Sequence, residues 1–192
     1  MSASEYVIVF ASIVLGLALT TLLVNLSRLL RSAGRIRWDW ATPVVAFIVV
    51  LLIVQIWWAM FPGEVDPGPV AIAEFLPQLV LLILLFLMAS VVLPDEVPDE
   101  GLDLRTYYEG TRRYFWTLMS AALGWVALSS LVSALVEGRS VAAVLSHRLT
   151  DLVIFSLFVS LIFVRRRWWH ALVILVAMTG PIGWLSRSIG GG

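Results

Sequence analysis

The sequence predicts an all-α bundle of six transmembrane helices, and three observations lead to this prediction. Hydrophobic residues make up 60% of the 192 residues, and charged residues only 14%. The mean hydropathy of +0.97 lies above the range of soluble domains, which have no interior large enough for so much apolar surface. Apolar stretches long enough to cross a bilayer follow one another, with short polar segments between them. We therefore expect one transmembrane domain over residues 1–192.

The predicted spans are six apolar segments at about residues 6–26, 40–61, 72–93, 114–136, 149–164 and 168–185. The fourth helix should begin before its span, with Asp103 as N-cap and with Arg105 and Glu109 as oppositely charged neighbours four residues apart. Such a helix of about 34 residues is about 50 Å long, against about 30 Å of hydrocarbon. A cytoplasmic helical extension of the fourth span is therefore predicted.

Arginine is distributed unevenly along the chain, which contains no lysine. Ten of the 13 arginines lie in the loops after spans one, three and five: Arg28, Arg31, Arg35, Arg37, Arg105, Arg112, Arg113, Arg165, Arg166 and Arg167. Cytoplasmic loops carry the excess of basic residues, so both termini should lie outside. An aromatic belt is expected at the same inner interface, formed by Trp38, Trp40, Tyr107, Tyr108, Tyr114, Trp116, Trp168 and Trp169.

Several function classes are disfavoured by composition. The chain has no cysteine, and its two histidines, His147 and His170, are far apart, so we expect no metal site and no cofactor. No paired acids or nucleophile fall at membrane depth, so we expect no enzyme. The net charge of zero disfavours nucleic acid as a partner.

His170, beside Trp169, is interpreted as an interfacial residue. The use of arginine alone suggests a GC-rich bacterial genome, and hence the bacterial inner membrane. Because no basic segment precedes the first span, we expect no removable signal peptide.

Two carboxamides stand inside predicted spans, Gln55 in the second and Gln78 in the third. A lipid-facing amide would find no hydrogen-bond partner, so both should face inward and lie within reach of each other near the outer surface. Ser12 and Thr179 fall at a comparable depth, and Glu74 is the acid closest to the hydrocarbon. These five residues form a candidate polar vestibule. The alternative is that the amides only hydrogen-bond between helices and fix their packing.

Pro77 leaves the position of Glu74 open. If the third helix begins near Pro69, Pro77 lies inside it and cannot donate to the carbonyl of Ala73. If Pro77 is instead the first helical residue, Glu74 belongs to a loop among the lipid headgroups.

Small residues recur four apart in the first span, at Ser12, Gly16 and Thr20. This spacing lets helix backbones approach closely, so we interpret these residues as a helix-packing face. Serine pairs with the same spacing occur in the fourth and fifth spans. The chain therefore has more small-residue faces than the packing of one small bundle needs. A homo-oligomer is therefore expected.

Four segments carry a family resemblance: SIVLGLALTTLL from Ser12 to Leu23, LSRLLR at 26–31, RIRWDW at 35–40 and QIWW at 55–58. In these segments the chain resembles a family of small bacterial multi-pass membrane proteins, with about six spans and no known function. The resemblance covers mainly the first two spans. It implies no activity or substrate.

Two hypotheses about function follow. The first is a small channel or transporter for a cation or small polar solute, entered through the vestibule. The second is a non-conducting accessory, scaffold or sensor subunit, whose arginine-rich inner face and helical extension contact a cytoplasmic protein partner. In both, the lipid bilayer is the surrounding partner.

Overall fold

A computed structural model describes residues 3–60, 72–136, 138 and 149–184. Within these residues the fold is all-α, with two very short strands. The six α-helices are α1 Ala3–Arg31, α2 Ala41–Ala59, α3 Ile72–Val91, α4 Leu104–Val136, α5 Leu149–Phe163 and α6 Arg167–Trp184. The strands are β1 Ile36–Arg37 and β2 Leu102–Asp103. Each of the six predicted apolar segments coincides with one helix.

Three helices in the described part of the chain are long and apolar enough to cross a membrane: Glu5–Arg31, Ala41–Ala59 and Leu104–Val136. Three shorter apolar helices cover Phe75–Val91, Thr150–Phe163 and Arg167–Thr179. These helices are compatible with a membrane protein. Six crossings and the direction of the termini stay predictions.

The helices pack around α3 and α4. α3 lies between α1 and α4, α4 also packs extensively against α5, and α2 contacts α1, α3, α4 and α6. The core between them is apolar, and its fully buried side chains include Leu22, Val49, Leu85, Met88 and Trp116. Because lipid tails are as apolar as leucine, close packing rather than transfer from water stabilises such a core in a bilayer.

α4 is one continuous helix that begins directly after Asp103. The Asp103 Oδ1 atom accepts hydrogen bonds from the backbone N–H groups of Arg105 at 2.8 Å and Thr106 at 3.3 Å. Arg105 and Glu109 form an exposed ion pair at 3.1 Å, one turn apart. The continuous helix and its N-cap are as predicted, whereas the cytoplasmic position of its first turns stays a prediction.

One end of the bundle is formed by residues 32–40, 92–103 and 164–167, and we call it the arginine-rich end. Here β1 pairs in parallel with β2, so that Ile36 lies opposite Leu102. The Arg35 Nη1 atom donates to Asp99 Oδ1 at 3.0 Å, and Arg28 donates to the backbone carbonyl of Asp95 at 2.8 Å. These contacts join the α1–α2 and α3–α4 loops into one structured surface, which we call the loop platform.

Gly101 is required where the two loops meet. Its φ of +97° lies in the left-handed region, and a Cβ atom there would stand 2.7 Å from the backbone carbonyl oxygen of Arg35. Any other residue would therefore be strained and would also push β2 away from Arg35.

Gly138 provides a matched control for Gly101, because its φ is +77° and a Cβ atom there would meet nothing within 4 Å. Gly101→Ala and Gly138→Ala should both incur the backbone cost of about 1–2 kcal/mol. Only Gly101→Ala adds the collision, so it should lower the free energy of unfolding further. Denaturation of the purified variants in detergent measures the difference. Equal losses would contradict the close approach of Gly101 to Arg35.

Candidate functional site

A group of buried polar side chains lies near the arginine-rich end, between α4, α5 and α6. It consists of Tyr108, Arg112, Trp116 and His170, which we call the polar cluster. Arg112 is 6% exposed and His170 2% exposed. Three members are spaced four residues apart on α4, so they share one face of the helix. His170 comes from the first turn of α6 and completes the group.

The hydrogen bonds of the polar cluster have a defined direction. The Trp116 Nε1 atom lies 3.1 Å from Tyr108 Oη, which lies 2.7 Å from His170 Nδ1. His170 Nε2 lies 2.8 Å from the carbonyl oxygen of Val164. A carbonyl only accepts and an indole N–H only donates. Trp116 therefore donates to Tyr108, and His170 Nε2 donates to Val164. In a neutral imidazole Nδ1 is then the acceptor, so Tyr108 donates to His170.

Arg112 caps the end of α5 from the neighbouring helix. Its Nη1 atom donates to the carbonyl oxygens of Leu161 at 3.3 Å and Val164 at 2.9 Å. The last carbonyls of a helix have no partner within the helix, and a positive charge near them is favourable. Among the described residues, no carboxylate lies within ion-pair distance of Arg112. This buried cation is therefore held by helix carbonyls.

An ion pair joins the start of α2 to the start of α6. The side chains of Arg167 and Asp39 are in direct contact, and Asp39 also accepts a hydrogen bond from the backbone N–H of Ala41 at 3.2 Å. The Arg167 guanidinium lies 6.0 Å from the centre of the Trp40 ring. α2 is tied to α4 as well, because Thr42 Oγ1 donates to the carbonyl of Leu104 at 3.2 Å. The arginine-rich end is thus cross-linked by polar contacts.

The polar cluster offers limited chemistry. Its ring nitrogens and hydroxyl are engaged by one another and by Val164, and the Trp116 ring stacks on Phe158 at 5.5 Å. Within the described ranges, no three His, Asp, Glu or Cys residues are grouped so as to hold a metal ion. The arrangement suits a structural role, in which hydrogen bonds hold the helices together and His170 Nδ1 accepts one of them.

Three interpretations of single residues change. His170 was expected at an interface, and Tyr108 and Trp116 in an aromatic belt, but they are only 2%, 9% and 0% exposed and lie inside the bundle. The four-residue spacing of the α4 members was a signal that could have indicated a common inward face. In contrast, Trp168 is 58% exposed, in keeping with a belt residue.

The predicted vestibule residues are more exposed than those of the polar cluster. Gln55 and Ser12 are half-buried, and Gln78 and Thr179 are exposed. The Thr179 hydroxyl donates to the carbonyl of Val176 in its own helix at 2.7 Å. The side chain of Glu74 lies outside the described residues. The vestibule stays a prediction.

Pro77 lies inside α3, because the helix begins at Ile72. The first of the two alternatives for Pro77 is therefore correct. The proline lies inside the helix, where it cannot donate a backbone hydrogen bond. The Trp125 Nε1 atom of α4 donates to the carbonyl oxygen of Pro77 at 2.8 Å. α3 and α4 are therefore joined by a hydrogen bond beside the proline.

The face formed by Ser12, Gly16 and Thr20 lies at the surface of the chain. Gly16 and Thr20 are exposed, and a Cβ atom at Gly16 would meet nothing within 4 Å. No other described helix of this chain packs on Gly16, which leaves this face free to meet a second chain.

A cleft of about 480 Å³ separates parts of α4 and α5. Its lining is mostly apolar and includes Leu123, Ala127, Leu131, Phe155 and the carboxylate residue Asp151. None of the vestibule residues lines it. This cleft therefore gives no support to a polar path through the bundle.

Comparisons with known proteins returned no match to any protein-family profile, curated protein or solved structure. The resemblance to a family of small multi-pass proteins therefore stays an expectation.

Adjacent arginines on α4 allow a test of the cap on α5. Arg112→Gln should lower the free energy of unfolding by about 1–3 kcal/mol, because the carbonyl of Leu161 loses its donor. Arg113→Gln removes the same charge from an exposed position and should change it by less than about 0.5 kcal/mol. Unfolding of both variants in detergent provides the comparison. Equal effects would mean that charge, and not the carbonyl contacts, determines the result.

Proposed function

We propose that the chain is a six-span protein of the bacterial inner membrane, with the arginine-rich end in the cytoplasm and both termini outside. Three helices are long and apolar enough to cross a bilayer, and three shorter helices are also apolar. Large apolar side chains are exposed on several helices, for example Ile13 at 57%, Val153 at 59% and Leu175 at 72%. Such faces suit contact with lipid, and the arginine bias supports the proposed orientation.

In this membrane the protein acts as a non-conducting scaffold or accessory subunit. The observation that carries this proposal is the distribution of buried polar residues. Among the described residues they are Asn25, Thr42, Arg112, Ser120 and His170. None lies in the half of its helix farthest from the arginine-rich end, and there the described core consists of residues such as Ala11, Leu15 and Ile53. A solute path needs polar groups or water along its full length.

The loop platform is the surface for a partner. Its two loops are held by a strand pair, an ion pair and Gly101, which is more structure than a connection between spans requires. It presents exposed charges of both signs, including Arg37, Asp95 and Glu96. A cytoplasmic protein or domain with complementary charges is the partner that this preformed surface favours, because little ordering is needed on binding.

A channel or transporter entered through the vestibule is the second candidate. Pro77 inside α3 supports it, because a proline leaves one backbone carbonyl of the helix without its usual donor, and such a carbonyl can contact a polar solute. Gln55 is half-buried on the neighbouring α2. Against this candidate stands the apolar core beyond these residues.

One experiment on proteoliposomes separates the two candidates. The scaffold proposal predicts no flux of monovalent cations above that of empty liposomes, and Gln55→Leu should lower stability by about 1 kcal/mol without any change in flux. Flux that depends on the protein and changes in Gln55→Leu would favour the channel instead.

Partner binding is tested in cells with the full chain. A photocrosslinking amino acid at Glu96 should capture one discrete partner, and Gly101→Val should abolish the capture by displacing β2. Gly138→Ala is the control and should leave it intact. Crosslinking that is unaffected by Gly101→Val would contradict docking on the loop platform.

The protein also forms a homo-oligomer through the face of Ser12, Gly16 and Thr20. Gly16→Leu should reduce the oligomer to a monomer, because added bulk keeps the helix backbones apart. Val153→Phe adds bulk to an exposed position on α5 and should have no effect. Light scattering in detergent gives the mass. An unchanged mass in Gly16→Leu would exclude this interface.

A further inference from the structure

Arginines are concentrated where α4 meets the loop between α5 and α6. Arg113 follows Arg112 on α4, and Arg165 and Arg166 lie in the three-residue loop between α5 and α6. Arg112 donates to the carbonyl oxygen of Val164 at 2.9 Å, so Arg113 and Arg165, the next residues in the chain, lie on two elements in direct contact. The carbonyls of Leu161 and Val164 hold Arg112 in place, so it cannot move away. We call Arg113, Arg165 and Arg166 the arginine site.

The described carboxylates near this site form their ion pairs with other arginines. Glu109 pairs with Arg105, and Asp39 pairs with Arg167. Arg113, Arg165 and Arg166 are exposed, and none of them has a carboxylate within ion-pair distance among the described residues. Like charges on neighbouring elements repel one another, and a multivalent anion bound between them would offset that repulsion. The ligand that fits is therefore an anion with several oxygen atoms.

Apolar side chains stand next to the same arginines. Phe163, at the end of α5, is 73% exposed, and Trp168 and Tyr114 are 58% and 52% exposed. Exposed aromatic rings beside arginines are typical of the headgroup level of a membrane. A ligand that contacts both groups carries an anionic head and an apolar tail. This favours a lipid over free phosphate.

We propose that Arg113, Arg165 and Arg166 bind the phosphate group of an anionic phospholipid. A guanidinium group can donate two parallel hydrogen bonds to two oxygens of one phosphate. Basic pockets between membrane helices on the cytoplasmic side bind anionic lipid headgroups. The proposal rests on the membrane orientation given under Proposed function. The bound lipid joins α4 to the α5–α6 loop at the place where Arg112 already connects them.

The test uses the purified full-length protein in a neutral detergent and native mass spectrometry of bound lipid. The probes are phosphatidylglycerol, phosphatidylcholine and inorganic phosphate. The double variant Arg113→Gln/Arg165→Gln is compared with Arg31→Gln/Arg37→Gln, which removes two exposed arginines from α1 and β1 at the same end. The first pair should weaken phosphatidylglycerol binding at least about tenfold relative to the second, because charge-assisted hydrogen bonds to phosphate are lost.

The outcomes separate the alternatives. Equal losses in the two double variants would mean that the whole end attracts anionic lipid without a site, and would overturn the proposal. Displacement of phosphatidylglycerol by an equal concentration of inorganic phosphate would overturn the choice of a lipid. Equal retention of phosphatidylcholine and phosphatidylglycerol would exclude a role for the net headgroup charge. If a double variant does not fold, the single variants Arg165→Gln and Arg37→Gln provide the same comparison.

Orientation is tested separately. Ser32→Cys should be protected from an impermeant thiol reagent in intact cells, and labelling would refute the proposed topology. Lipid retention in detergent does not depend on orientation. Failure of the arginine site and failure of the proposed orientation are therefore distinguishable.

Discussion

The cap that Arg112 provides for α5 is the interaction on which the arginine-rich end depends. α5 ends at Phe163 and α6 begins at Arg167, so only three residues separate them. Such a short connection contains no glycine to end α5 with its own cap. The freed carbonyls of Leu161 and Val164 must therefore find donors on other elements, since an unpaired backbone group shielded from water is costly. Arg112 and His170 supply those donors, and α4 cannot separate from the α5–α6 hairpin without leaving them unpaired.

The hydrogen bonds of His170 extend this constraint. Its Nε2–H is fixed on Val164, which makes Nδ1 an acceptor for Tyr108, and Tyr108 can then accept from Trp116. Protonation of His170 would turn Nδ1 into a donor, so the Tyr108–His170 hydrogen bond would reverse and the Tyr108 O–H would lose its acceptor. The same contacts hold α6 against α4, although these helices are far apart in sequence.

The helices were predictable, whereas the neighbours of each side chain were not. Apolar length placed all six helices, and the carboxylate of Asp103 predicted the start of α4, because both signals are local. The interior positions of Trp116 and His170 depend on which faces of α4 and α6 meet, and hydropathy does not specify that. Aromatic residues near arginines are typical of an interface, and so they were assigned to one. The pairing of β1 with β2 was also missed, because two residues are too few to show alternation.

The candidate site illustrates the same limit. Gln55 and Gln78 were predicted to face inward because amides are rare in apolar helices. In the structure Gln78 is exposed, whereas the charged residue Arg112 is buried. A sequence records which polar groups enter a helix, but not which of them find partners. Arg112 can be buried because the end of α5 offers carbonyls at hydrogen-bond distance, and no comparable set of acceptors is evident from the sequence around the glutamines. The buried polar side chains of Thr42, Arg112 and His170 find partners near helix ends, where backbone donors and acceptors are left free. These contacts lie at the arginine-rich end, whereas the described core toward the other end of the bundle is mostly apolar.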